Sequence, residues 1–161
     1  MLEFLDIESS GLDDESYPIE IGFTLGDNTY SYLIKRPPEW SFWDDIAELQ
    51  YHNISQEDLN EKGIDPLEVV NTINNQLAGK TLYTDAYAFD EFWLRKLYAY
   101  VGKEMTFKLV DFRKLTAEHG ISDYAFFELK EELTDMVLSH RAGYDAKLNK
   151  EVMLMMIKKN K

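Results

Sequence analysis

The 161-residue chain contains no cysteine, few basic side chains and no long apolar run. Without cysteine, disulfide bonds and thiolate metal sites are excluded, so any bound metal must be held by oxygen or imidazole ligands. Such ligands favour hard cations such as Mg²⁺ or Mn²⁺. No stretch approaches the roughly 18 apolar residues of a spanning helix, and Glu3 and Asp6 stand where a signal peptide would be basic and then apolar. These absences predict a soluble, cytoplasmic protein with no membrane partner.

The shortage of positive charge limits what the protein can bind. The chain has 17 Lys and Arg against 30 Asp and Glu, a formal net charge of −13. Duplex DNA binding gains much of its affinity from cations that neutralise phosphates, so a broad electrostatic grip is not expected. Bound metal ions would reverse the local sign of charge and still hold a strand end. We therefore expect weak binding, directed to short or single-stranded ends.

Hydrophobic patterning predicts one α/β domain over residues 1–161. A 45% hydrophobic content with 14% aromatics supplies one core, and no repeat or low-complexity tract is present. Strands are predicted over residues 2–8, 19–25, 29–34, 80–84 and 107–112. The second and third form a hairpin around Gly26-Asp27-Asn28, while the last two alternate with helices. The pattern predicts a mixed five-stranded sheet flanked by helices.

Capping signals and apolar periodicity predict the helices. One short helix follows Ser55 and stops at Gly63, and the next runs from Asp65-Pro66 to Gly79. A third helix carries Asp90 at its start and ends at Gly102, and residues 116–138 are helical but mixed. The last helix covers residues 143–158, with four inward residues: Leu148, Val152, Met155 and Met156. Between strand and helix, an aperiodic loop and short helix carry Trp40, Phe42 and Trp43, which suit either a homodimer interface or the core.

Asp6 and Glu8 form the first candidate metal-binding pair. Side chains two residues apart on a strand share one face of the sheet, and Ile7 points to the other face. In a chain this acidic, about one D-x-E pair is expected by chance. If Phe4, Leu5 and Ile7 make this a core strand, two unpartnered carboxylates there require a cation. The alternative is an exposed strand end without a ligand.

Further acidic and histidine candidates lie in the second half of the chain. Asp90 stands at a helix start, where simple capping would also favour a carboxylate, and Asp85 is a second candidate from the same stretch. His140 precedes the last helix and Asp145 lies in its first turn, so the imidazole could take a proton beside a metal that the aspartate binds. His52 and His119 are predicted to be ordinary surface or loop residues.

Three ordered motifs resemble the DnaQ-like 3′-to-5′ exonucleases, in the branch with four acidic residues and a histidine (DEDDh). The family's D-x-E followed by small polar residues and Gly-Leu is matched by FLDIESSGL at residues 4–12. The second motif is matched by DAYAFDEFWL at 85–94 and the third by HRAGYDA at 140–146. HNIS at 52–55 also resembles a connecting segment of the family. The resemblance covers essentially the whole chain and implies a ribonuclease H-like fold.

The resemblance implies specific roles for these residues. Asp6, Glu8, Asp90 and Asp145 would bind two divalent ions, Mg²⁺ or Mn²⁺, with His140 as general base. Six residues would contact the terminal nucleotide: Ser9, Ser10, Gly11, Leu12, Asp85 and Phe89. Leu12 and Phe89 would suit the core equally well. One departure is visible, because the second motif often begins with His-Asn or a similar amide and here Thr84-Asp85 stands instead. The extra carboxylate is expected to alter metal affinity or the hold on the nucleotide.

The implied activity is hydrolysis of phosphodiester bonds at the 3′ end of single-stranded RNA or DNA, with RNA slightly favoured. A DNA proofreading or repair exonuclease is an alternative within the class. A catalytically inactive nucleic-acid-binding or scaffold module is an alternative from another class, but all five motif positions are filled here. Small relatives are often homodimers, which is a further possibility for this chain.

Overall fold

The computed structural model describes residues 1–161 and contains five strands and seven α-helices. The strands are β1 (Leu5–Ser9), β2 (Pro18–Leu25), β3 (Asn28–Leu33), β4 (Thr81–Thr84) and β5 (Lys108–Asp111). The helices are α1 (Asp45–Ala47), α2 (Gln56–Lys62), α3 (Pro66–Leu77), α4 (Tyr87–Val101), α5 (Arg113–His119), α6 (Asp123–Leu133) and α7 (Ala142–Lys159). A π-helical segment, Glu48–His52, continues α1. No helix combines the length and apolar character needed to cross a membrane.

The strands form two ladders that meet at one bridge. β1 pairs antiparallel with β2 and β2 with β3, while β4 and β5 pair parallel. Phe4 joins the ladders through a parallel bridge to Tyr83, whose N–H donates to the Glu3 carbonyl at 2.9 Å. The mixed strand directions are as predicted. The regular first strand starts at Leu5 instead of Leu2, because the N–H of Phe4 donates to the Thr24 hydroxyl at 3.0 Å instead of to a strand carbonyl.

The two faces of β1 belong to different hydrophobic clusters. Leu5 and Ile7 pack in a cluster of 21 buried residues that also contains the inner faces of α3 and α4. Phe4 packs on the opposite face, in a cluster of 9 buried residues that includes Ala146 and Met153 of α7. Asp6 and Glu8 follow Phe4 at two-residue steps and therefore lie on the α7 face. The alternation of one strand thus places its carboxylates beside the last helix.

The last helix differs from its predicted inner face. Leu148 and Val152 are buried as expected, but Met153 is also buried, Met156 is half-buried and Met155 is 52% exposed. The prediction for Met155 was wrong because the buried stripe of α7 is centred between Asn149 and Val152, which leaves Met155 at its margin.

Two other segments are shaped by local backbone signals. The helical prediction for residues 116–138 is correct only in part, because α5 begins earlier, at Arg113, and residues 134–138 after α6 are not helical. The two helices are separate because Gly120 adopts φ +63° after α5 and the Ser122 hydroxyl accepts from the Ala125 N–H at the start of α6. In the aromatic segment, Trp40 is buried and stacks on Tyr17, with ring centroids 5.5 Å apart. Trp40 therefore belongs to the core.

The first turn of α7 lies directly on β2 at Gly22. A Cβ atom added at Gly22 would fall 2.2 Å from both the carbonyl carbon of Ala142 and the nitrogen of Gly143. These are backbone atoms that a rotamer change cannot move. Glycine at this position therefore sets the distance between the helix start and the sheet.

We expect Gly22→Ala to lower the free energy of unfolding by about 3 kcal/mol, because α7 must lift from the sheet to admit the methyl group. Urea unfolding measures this loss. Gly79→Ala is the control, since Gly79 has φ +72° with no atom near its Cβ position and should lose only about 1 kcal/mol. Equal losses in the two variants would contradict the close contact.

Candidate active site

The candidate residues line one cleft of about 510 Å³ at the carboxyl end of β1. Asp6 and Glu8 come from β1, Asp90 from α4, and His140 and Asp145 from the start of α7. These five side chains are separated by up to 139 positions in sequence, and the fold brings them all together. These are the five positions that the family resemblance implied as metal ligands and general base.

The two carboxylates of β1 lie inside the protein. Asp6 is buried and Glu8 is half-buried, so the pair does not stand on an exposed strand end. Their antiparallel partners are Gly22 and Glu20 of β2, and directly opposed residues share a face. Ile7 enters the core on the other side. β1 therefore places both carboxylates where other parts of the protein shield them from solvent, Asp6 fully and Glu8 in part.

Asp90 has a different role from the simple helix cap that its position allowed. The N-cap of α4 is Ala86, which makes no side-chain capping bond, and Asp90 lies in the first turn. Asp90 is buried, and its carboxylate accepts a hydrogen bond from the hydroxyl of Thr84, the last residue of β4. This bond holds the carboxylate at the end of the sheet, beside β1.

His140 and Asp145 enter the cleft from the turn before α7. His140 has a left-handed backbone, with φ 58°, and its exposed imidazole stands edge-on to Tyr51, with ring centroids 5.4 Å apart. One ligand atom each from Glu8, His140 and Asp145 lie within 4.8 Å of one another. Asp145 is itself buried. A carboxylate pair and an imidazole thus converge on one point.

Burial and mutual repulsion make these carboxyl groups hard to ionise in the protein alone. Burial, Asp90 and Glu8 raise the pKa of Asp6 well above its usual range. Burial, Asp145 and Glu20 raise the pKa of Glu8 to about 9. Burial also raises the pKa of Asp90 and that of Asp145. The cleft therefore has a strong unmet demand for positive charge.

Asp85 is already engaged with protein groups. Its carboxylate binds the ammonium of Lys130 from α6 and accepts a hydrogen bond from the Asn149 amide at 2.8 Å. The Asp85 side chain is almost fully buried in this pair. Both oxygens of Asp85 have partners, so the expected change in metal affinity would have to act through the Lys130 charge. Lys130 is also the only basic side chain besides His140 that lines the cleft.

The residues expected at the terminal nucleotide divide into two groups. Ser9, Leu12 and Phe89 line the cleft, and Leu12 is 72% exposed and Phe89 51% exposed, which excludes a core role for either. Asp85 lines it as well, whereas Ser10 and Gly11 lie behind the cleft wall, so a contact of these two residues with a nucleotide stays a prediction. Ser10 is fully buried because its hydroxyl accepts the Tyr17 N–H at 3.1 Å, and Gly11 packs against Phe42 and Asp44.

His52 is buried, contrary to the expectation of a surface histidine. Its Nδ1 accepts the Ile54 N–H at 3.0 Å, its ring stands edge-on to Trp43, and burial lowers its pKa to about 4. No local pattern predicts this burial, because the π-helical segment that carries His52 has no distinctive period. The same segment places Tyr51 beside His140, a contact that sequence reasoning missed.

The donor set fits hard divalent cations. Buried carboxylates with an imidazole at their edge are oxygen and nitrogen ligands of the kind that Mg²⁺ and Mn²⁺ accept. The cleft collects four carboxylates that form no salt bridge, and burial together with the neighbouring acids raises the pKa of Glu8 to about 9. Positive ions entering from solvent would relieve it.

Comparison with known proteins identifies the fold. No protein-family model matches the sequence, and no curated protein matches it. Among solved structures, the zinc-bound complex of E. coli ExoI with single-stranded DNA has a TM-score of 0.64 at 15% identity, covering 98% of this chain and 39% of the ExoI chain. The RNase domain of the yeast Pop2 protein has a TM-score of 0.63 at 15% identity, covering 98% and 76%. The chain thus shares the mixed α/β fold of these two structures, and it spans well under half of the ExoI chain.

The titration of Glu8 predicts how the metal-free protein responds to pH. Its folded pKa of about 9 exceeds the ordinary 4.5, so folding retains a proton that the unfolded chain releases. The free energy of unfolding should therefore fall as pH rises between these values. Glu8→Gln cannot ionise, so urea unfolding in chelator should show its stability advantage over the wild type growing from about pH 5 to about pH 8.5.

Two controls accompany that measurement. Glu57→Gln, at an exposed position of α2, should show no such growth. Added Mn²⁺ should restore the wild type at the higher pH, because an ion that binds only the folded state stabilises it. A constant difference between Glu8→Gln and the wild type at all pH values would refute the raised pKa.

The ion pair of Lys130 with Asp85 generates a separate prediction. Lys130→Met leaves a buried carboxylate without its cation and should lower the free energy of unfolding by about 3 kcal/mol. The double variant Lys130→Met with Asp85→Asn should recover most of that loss, because no unpaired charge remains buried. Thermal or urea unfolding measures the stability of the two variants. A double variant that is no more stable than the single variant would contradict the pairing.

Proposed function

We propose that the protein is a metal-dependent 3′-to-5′ exonuclease acting on single-stranded nucleic acid, with RNA slightly favoured. The observation that carries the proposal is the meeting of four carboxylates and a histidine from three distant segments in one cleft, with ligand atoms of Glu8, His140 and Asp145 within 4.8 Å. Asp6, Glu8, Asp90 and Asp145 are assigned as metal ligands. The fold shared with ExoI and the Pop2 RNase domain supports a nuclease.

Each residue has a distinct task in this proposal. Two divalent ions, Mg²⁺ or Mn²⁺, would supply activation of the attacking water and stabilisation of the leaving 3′ oxygen. The four carboxylates hold and orient this charge in a covered cleft, where electrostatic interactions are strong. His140 stands at the exposed edge beside Glu8 and Asp145, where it can accept the proton of the attacking water and pass it to solvent.

The cleft suits the end of a nucleic-acid strand better than an internal stretch of the strand. Leu12 and Phe89 offer exposed apolar surface at the rim, on which a terminal base can stack. Lys130 is the only lysine or arginine lining the cleft, and it is bound to Asp85, so phosphates find no free cation there. A net charge of −13 adds no attraction from the surrounding surface. Binding should therefore depend on metal ions and on the terminal bases.

The supporting similarities leave both polymers open. ExoI is seen with single-stranded DNA, and the Pop2 domain is an RNase. A proofreading or repair enzyme for DNA is the alternative that a strong preference for DNA would favour. A binding or scaffold module is the alternative that metal-dependent binding without cleavage would favour.

We expect the purified protein with Mn²⁺ to shorten a 5′-labelled single-stranded oligonucleotide one nucleotide at a time, and Asp6→Asn to lose at least ~1,000-fold of that rate. Gel analysis of matched RNA and DNA strands, and of duplexes with 3′ overhangs, gives direction and preference together. Asp27→Asn is the control, because Asp27 is an exposed carboxylate in the β2–β3 turn and outside the cleft. Equal activity in Asp6→Asn and wild type would reject the proposal.

A further inference from the structure

We propose that Glu20 of β2 is a positioning residue that holds His140 and Asp145 against Glu8. Glu20 lies outside the three motifs that contain the candidate site residues. Glu20 pairs directly with Glu8 in the β1–β2 ladder, so both side chains project from the same face of the sheet. Glu20 is nevertheless 2% exposed and is not part of the cleft wall.

The carboxylate of Glu20 is fully occupied by hydrogen bonds from protein groups. Its Oε1 accepts from Nη2 of Arg141 at 2.9 Å and from the Ser31 hydroxyl at 2.7 Å. Its Oε2 accepts from Nε of Arg141 at 3.0 Å and from the Ala142 N–H at 3.2 Å. The bidentate pair with Arg141 fixes orientation as well as distance. With both oxygens engaged, Glu20 acts on the site through the chain that it holds.

That chain is the start of α7, between two candidate site residues. Arg141 is the N-cap of α7 and makes no side-chain capping bond, so the first amide groups of the helix lack a local acceptor. Glu20 supplies the acceptor for Ala142 from across the sheet, and its negative charge faces the positive end of the helix. One side chain of β2 therefore serves as the cap of α7.

The same contact fixes the backbone next to His140. His140 adopts φ 58°, a conformation that side chains other than glycine rarely take. Its neighbour Arg141 is anchored through two nitrogen atoms to Glu20, and Asp145 donates its N–H to the Arg141 carbonyl at 2.9 Å. Release of Arg141 would free the strained residue on one side and the first helical turn on the other. Both movements would separate His140 and Asp145 from Glu8.

The chain contains a matched control that binds the middle of the same helix. Glu3 is also buried, and it also pairs with a cation of α7, Lys150, at 3.0 Å. It accepts a backbone N–H from Gly26 and a hydroxyl from Thr24. Glu3 therefore ties α7 to the sheet by the same kinds of bond as Glu20, but away from the cleft.

The test compares Glu20→Gln with Glu3→Gln under conditions where both variants are folded. Each change keeps the side-chain volume and replaces one accepting oxygen with an amide NH₂ group, which donates hydrogen bonds but cannot accept them. Hydrogen exchange followed by mass spectrometry should show faster exchange over residues 139–146 in Glu20→Gln only. Calorimetric titration should show Mn²⁺ binding weakened about 10- to 100-fold in Glu20→Gln and unchanged in Glu3→Gln.

The two readouts separate this inference from the proposed function, on which only its metal-binding part rests. Faster exchange at residues 139–146 supports the positioning role even if the wild type binds no Mn²⁺, a result that would instead reject the proposed function. Unchanged exchange over those residues in Glu20→Gln overturns the inference. Equal weakening of Mn²⁺ binding in both variants also overturns it, because a general loosening of α7 would then explain the loss.

Discussion

Repulsion among buried carboxylates is the constraint on which this structure depends. Asp6, Asp90 and Asp145 are buried and Glu8 is half-buried, in one cleft. Burial is the main cause that raises the pKa of each of the four, and neighbouring acids raise the pKa of Asp6 and of Glu8 further. An arrangement of this kind costs stability unless cations compensate for it. The free energy held in the repulsion is then available to bind ions from solvent.

The scaffold resists this repulsion through contacts that surround the cleft. α7 is seated on β2 at Gly22, where two backbones approach too closely for any other residue. Glu20 binds Arg141, the N-cap residue of α7, and Glu3 binds Lys150 in the middle of that helix. Glu20 and Glu3 are thus paired with cations of the same chain, whereas the four candidate metal ligands, Asp6, Glu8, Asp90 and Asp145, form no salt bridge. The paired acids therefore stabilise the fold, and the unpaired acids are the ones able to bind a cation.

Charge at two scales bears on the proposed binding of a polyanion to so acidic a protein. The whole chain, at −13, repels phosphate, and the one lysine in the cleft is bound to Asp85. Attraction must therefore come from ions held by the cleft itself and from apolar contacts at its rim, such as Leu12 and Phe89. The favourable field would then be confined to one point, which is the reason for proposing an activity directed to strand ends.

The sequence by itself determined the elements and the positions of the candidate acids. Strand alternation placed Asp6 and Glu8 on one face, and the resemblance to three family motifs selected Asp90, His140 and Asp145, because both signals depend on neighbours within a few residues. Only the tertiary structure decided the burial of His52, the pairing of Asp85 with Lys130, and the bond of Glu20 to Arg141 across 121 positions. These contacts depend on how separate elements pack, and no local period encodes which side chains will meet when a helix settles on a sheet.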